Sequence, residues 1–171
     1  MYMFKGHPLK SYLKYSIAAA LLYGIAAGIF IHTDAYQASY ILYIGNMVFG
    51  ICIGIFVYIF NKRRNENANS SNIVAAGHIT TIMGVLIACA ITFILLLVIA
   101  PGSFRSVSQT ADAMGRAPSQ LAGNNKGLGL VLFLDAVFGN VGAGSFVSFL
   151  LPFSLKRDQS DTTRVTNRKG I

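Results

Sequence analysis

Residues 133–157 read FLDAVFGNVGAGSFVSFLLPFSLKR, an apolar run that keeps an acid at Asp135, an amide at Asn140 and three glycines before its basic end at Lys156 and Arg157. Its length decides the fold. A helix needs about 20 predominantly apolar residues to cross a bilayer core about 30 Å thick, and this run, taken over 128–153, is long enough. Three further stretches, 15–31, 38–60 and 79–100, meet or approach the same requirement. The sequence therefore predicts an all-α integral membrane protein of four transmembrane helices.

Composition agrees with that reading. Of 171 residues 54% are hydrophobic and 12% charged, and mean hydropathy is +0.56, against an apolar share of about 45–50% in soluble domains. Outside the spans the chain consists of polar tails and links, too little for a second core. A single membrane domain over 1–171 is expected, with an outer loop at 101–126 and a cytoplasmic tail at 154–171. A basic start (Lys5, Lys10, Lys14) before a short apolar run also describes a signal peptide. No Ala-x-Ala site follows at 32–38, so an uncleaved first helix is expected.

Orientation follows from the basic residues. Lys5, Lys10 and Lys14, then Lys62, Arg63 and Arg64, then Lys156, Arg157, Arg164, Arg168 and Lys169 fall on one side of four spans. Arg105, Arg116 and Lys126 fall on the other. The positive-inside rule then puts both termini in the cytoplasm, predicting a multi-pass protein of the cytoplasmic (inner) membrane built as two antiparallel hairpins. Tyr36, Tyr40 and Tyr43 mark its outer edge, and Tyr12, Tyr15 and Tyr58 its inner one. This placement accounts for the net charge of +8 without nucleic acid. The partners it implies are the bilayer itself and anionic headgroups on the cytoplasmic side.

The links differ in character. The first two spans are joined by the short stretch 32–37, whereas NKRRNENANSSN favours a turn with a helix start near Ser71 or Asn72. Pro101 closes the third span. In the outer loop Phe104, Val107, Ala111 and Met114 have the spacing of a short surface helix. The second and fourth spans also align without a gap: Gly45-Asn46 falls on Gly139-Asn140, Gly50 on Gly144, Gly54 on Ser148, and Lys62-Arg63 on Lys156-Arg157. That alignment predicts a parallel internal repeat about a pseudo-twofold along the membrane normal.

Small residues recur along each span, at Gly24 and Gly28, Gly50 and Gly54, Gly84, and Gly144 and Ser148. Lipid tails give helices no hydrophobic reason to associate, so such faces are expected to hold the bundle by close backbone approach. The intramembrane polar candidates are Asn46, Asn140 and Asp135. Asn46 and Asn140 each lie 16 residues before a basic end, about 24 Å along a helix, and are expected to bond each other or backbone across the bundle. Asp135 lies 21 residues before Lys156, about 31 Å. That count places it at the outer boundary, facing a base such as Arg105 or Arg116.

Catalytic patterns are missing from the sequence: there is no HExxH, CxxC or Gly-x-Ser-x-Gly, and His7, His32 and His78 are scattered. His32 with Asp34 supplies two ligands only, which leaves a zinc site incomplete. Cys52 and Cys89 lie inside spans and read as small apolar side chains. No enzyme activity, metal or cofactor is expected. The two-hairpin layout, the NKRR link, AGHITT opening the third span and GNVGAGSFVSFLLPFSLKRD closing the fourth resemble uncharacterised four-helix inner-membrane proteins of bacteria grouped as domains of unknown function. That resemblance covers most of the chain and implies topology without an activity. The function expected is a non-enzymatic structural or interaction partner of membrane proteins, or a homo-oligomer. The alternative is a small transporter or channel subunit with a polar path near Asn46, Asn140 and Asp135.

Overall fold

The computed structural model describes residues 9–33, 36–63, 70–101 and 127–168. These residues are almost entirely helical. Helix α1 spans Leu9–Thr33, and a 3-10 turn at Tyr36–Ser39 leads into α2, Tyr40–Arg63. Helix α3 spans Ser70–Ile99. The last helical rod has three parts: α4, Leu128–Leu134; a π-helical turn, Asp135–Gly139; and α5, Asn140–Arg168. Four segments are long and apolar enough to cross a membrane: Leu9–Thr33, Tyr40–Lys62, Ser71–Ile99 and Leu128–Ser154.

The ends follow local chemistry. Pro101 cannot continue a helix, and α3 stops at Ile99. The Thr33 hydroxyl donates to the Ile29 carbonyl at 2.7 Å in the last turn of α1. Two expected boundaries move outward. Helix α1 begins at Leu9, ahead of 15, and α5 continues past Lys156 to Arg168 where a tail from 154 was expected. Lys and Arg are good helix formers, so a basic residue ends an apolar run without ending the helix. The outer-loop helix expected around Phe104 to Met114 lies outside the described residues, as do Arg105, Arg116 and Asp34.

Contacts between helices fix their directions. Gly24 and Gly28 of α1 face Ile91 and Leu95 of α3, and the Ser16 hydroxyl donates to the Thr80 carbonyl at 2.8 Å, so α1 and α3 run parallel. Gly50 and Gly54 of α2 face Ala143 and Val147 of α5, which makes that pair parallel too. Gly45 lies against Tyr23 and Ala26 while Tyr12 stacks on Phe56 at 5.3 Å, so α2 runs against α1. Gly77 faces Ser148 and Gly144 faces Thr81, so α5 runs against α3. The end at which α1 finishes and α2 starts is called the upper end below.

Around the bundle α1 touches α2 and α3, α5 touches the same two, and α1 and α5 occupy opposite corners. This order does not carry the expected pseudo-twofold. An axis along the bundle that exchanged the first and third helices would need them at opposite corners, and they are neighbours. The aligned glycines also face different helices, Gly50 toward α5 and Gly144 toward α3.

Each helix divides into a packed face and an outward one. Inside lie Ala19, Ala20, Tyr23, Ala27, Phe49, Ile53, Val57, Ala88, Leu132 and Ala136. Outside lie large apolar side chains such as Leu21, Ile25, Met47, Ile51, Leu86, Phe93, Phe138 and Phe146. At the lower end Tyr12, Tyr15, Phe56 and Phe60 form one ring cluster, with centroids 5.3 to 6.1 Å apart. Tyr12, expected at the inner edge of an aromatic belt, is buried there. Tyr40, Tyr43 and Tyr58 are exposed.

Candidate functional site

The residues that stand out chemically meet about two turns below the upper end. Asp135 opens the π turn, seven residues after Leu128, which is about 10 Å along the rod. Its two carboxylate oxygens are taken by two other helices. The Tyr23 hydroxyl of α1 donates to Oδ2 at 2.9 Å, and the Asn46 side-chain amide of α2 donates to Oδ1 at 2.9 Å. Tyr23 is fully buried and Asn46 is 8% exposed, while Asp135 is half-buried.

Two glycines let the three helices approach this closely. Gly45, beside Asn46, has a backbone so near α1 that an added Cβ would lie 2.8 Å from the Ala26 methyl. Gly139, at the end of the π turn, lies directly against the Asn46 carboxamide, and any side chain there would displace it. A π turn shifts amide-to-carbonyl pairing by one residue. Just after this one, the Asn140 side-chain amide donates back to the Ala136 carbonyl inside the turn at 3.0 Å.

Asp135 is therefore inside the bundle and not at its rim. Among the described residues no Lys, Arg or His pairs with it. The count from Lys156 assumed that the basic residues mark the end of the buried rod, whereas the carboxylate is level with Asn46 on one neighbour and Tyr23 on another. The expected pairing of Asn46 with Asn140 does not form. Asn46 bonds Asp135, and Asn140 bonds its own helix.

Among the described residues four buried side-chain polar atoms have no partner: Asn46 Oδ1, Asn140 Oδ1, Thr92 Oγ1 and Ser148 Oγ. Other buried hydroxyls are satisfied locally, Thr80 on the Ala76 carbonyl and Thr81 on the Gly77 carbonyl, each at 2.9 Å. Such back-bonding closes a hydroxyl onto its own helix. The remaining candidates serve packing: Gly24 and Gly28 against α3, Gly50 and Gly54 against α5, Gly84 against Phe49, and Gly144 with Ser148 against Thr81 and Gly77. No group of three His, Cys, Asp or Glu among the described residues is placed to hold a metal ion. Cys52 and Cys89 are free, half-buried thiols.

Tyr23, Gly45 and Gly139 belong to the site without having been singled out in its sequence reading. A signal for Tyr23 was present: among the tyrosines of the spans it alone lies far from both edges, where no belt residue is needed. Comparison with family models, with curated proteins and with solved structures gives no match for this chain.

Proposed function

We propose that this chain is a multi-pass protein of the cytoplasmic membrane, two antiparallel hairpins with both termini in the cytoplasm, that acts without catalysis through contacts with other membrane proteins or with further copies of itself. The observation that carries this reading is the division of every helix into a packed face, where its close-contact glycines or small residues lie among larger buried side chains, and an outward face of large apolar side chains. Close glycine contacts supply the packing that holds helices together in lipid, and the outward Leu, Ile and Phe side chains suit lipid or another transmembrane helix. The lower end, with Lys10, Lys14 and Lys62, suits anionic headgroups on the cytoplasmic side.

A second reading, a small transporter or channel subunit, is favoured by the buried atoms of Thr92, Asn46, Asn140 and Ser148 that have no partner among the described residues. Weighing against it, Ser16, Thr80 and Thr81 in the lower half are bonded to backbone and offer no relay. The test is ion and proton flux in vesicles reconstituted with the parent protein and with Asp135→Asn. No flux is expected from either protein. A current in the parent that vanishes in Asp135→Asn would replace the first reading with the second.

A further inference from the structure

We infer that Asp135, with Tyr23 and Asn46, forms a proton-binding site, in which the carboxylate takes up and releases a proton while its two neighbours exchange hydrogen-bond roles. The argument starts from the identity of those neighbours. A carboxylate held for structure alone is best served by an Arg or Lys, which satisfies the charged form only. Here both partners are neutral, and both can either donate or accept. A phenol oxygen accepts once its own proton rotates away, and a carboxamide offers two N–H groups on one side and a carbonyl oxygen on the other.

The second observation is the unpaired Asn46 Oδ1, buried on the same carboxamide whose amide already donates to Asp135 Oδ1. An unsatisfied buried acceptor is costly. It becomes useful when Asp135 carries a proton. A hydronium ion then gives its proton to one carboxylate oxygen and leaves as water, and the new O–H needs an acceptor. The Asn46 oxygen, brought round by rotation of the amide, supplies one, and the Tyr23 oxygen supplies another. Among the described residues no charged neighbour competes for that proton. The titratable groups at the level of the cluster among the described residues are Tyr23 itself from α1 and, from α3, the free thiol of Cys89, two residues from the Ile91 that faces Gly24. Helix α2 contributes only the neutral Asn46 at this level, and α5 contributes Asn140. An ionisable side chain with only neutral partners is expensive inside a membrane and is retained where its change of charge is used.

The inference does not depend on flux, because a site can bind a proton without passing it on. The experiment is pH-difference infrared spectroscopy of the full chain in lipid nanodiscs, with the parent, Asp135→Asn, Tyr23→Phe and Asn46→Leu compared. The expected result is a titrating carbonyl band of a protonated carboxylic acid that is lost in Asp135→Asn and shifted in frequency by Tyr23→Phe and by Asn46→Leu. Absence of any band that depends on Asp135 would overturn the proposal. A band that neither neighbour's substitution moves would overturn it as well. If Asp135→Asn does not fold, the shifts produced by the other two variants decide the matter alone. A midpoint that moves with sodium chloride but not with choline chloride at equal ionic strength would reject the proton in favour of a sodium ion.

Discussion

Asp135 is held by one phenol and one amide, so each bond can be removed separately. Tyr23→Phe deletes the donor to Oδ2 and leaves the ring in place. It is expected to lower stability by about 1 kcal/mol, in the range of hydrogen bonds between transmembrane helices. Asn46→Leu should cost a similar amount, and the double variant should cost less than the two losses added, because both act on one carboxylate. Unfolding of the four proteins in mixed micelles checks this; strict additivity would show that the two bonds are independent. In the sequence, Asp135, Asn46 and Asn140 were legible because a polar atom in an apolar run stands out. Their partners were not. Which side chains meet depends on how α1, α2 and the last rod are rotated about their axes, and hydropathy is nearly blind to rotation when every face is apolar. That blindness is why the meeting of Asp135 with Tyr23 and Asn46 was not legible in the sequence.

Helices are the scale at which reading the sequence works best, since the length of an apolar run is a property of the chain alone. The four spans, the start of α3 near Ser71 and its stop before Pro101 were all legible. The π turn was not, because no local preference of DAVFG marks it, and the close fit of Gly139 against Asn46 that accompanies it is a tertiary contact. The glycines give this scale its own test. An alanine Cβ at position 77 would lie 2.6 Å from Ser148 Oγ, and overpacking of this kind costs about 1–3 kcal/mol. At Gly142 nothing lies within 4 Å, so alanine there should be neutral or stabilising by up to about 1 kcal/mol through reduced backbone freedom. Thermal unfolding of Gly77→Ala and Gly142→Ala checks the contrast. Equal losses at both positions would mean that α3 and α5 are not packed as described.

At the scale of the whole molecule, charge predicts an orientation and says nothing of the arrangement of helices. Lys and Arg report which side of a membrane a segment faces but say nothing of which helix is whose neighbour, and a gapless alignment of two spans suggested an axis that the bundle lacks. The orientation has a direct check. Single cysteines at Ser70 and Ser160 are expected to be shielded from an impermeant thiol reagent in intact cells, while one at Ser108 is labelled. Labelling at Ser160 would reverse the proposed topology. The π turn has a consequence for the whole rod, because it takes up one residue more than the α-helix it interrupts and so keeps the top of the rod in phase with the rest. Deleting Phe138, which points outward, should let the rod close into a regular α-helix with Leu128–Leu134 and Asp135 still on their present faces. The bundle would keep its packing, and thermal unfolding should show Tyr23→Phe costing as much in the shortened protein as in the parent; no cost there would mean that Asp135 had turned away from its donors. A side chain without inward contacts of its own would thus be dispensable to the site as well as to the bundle.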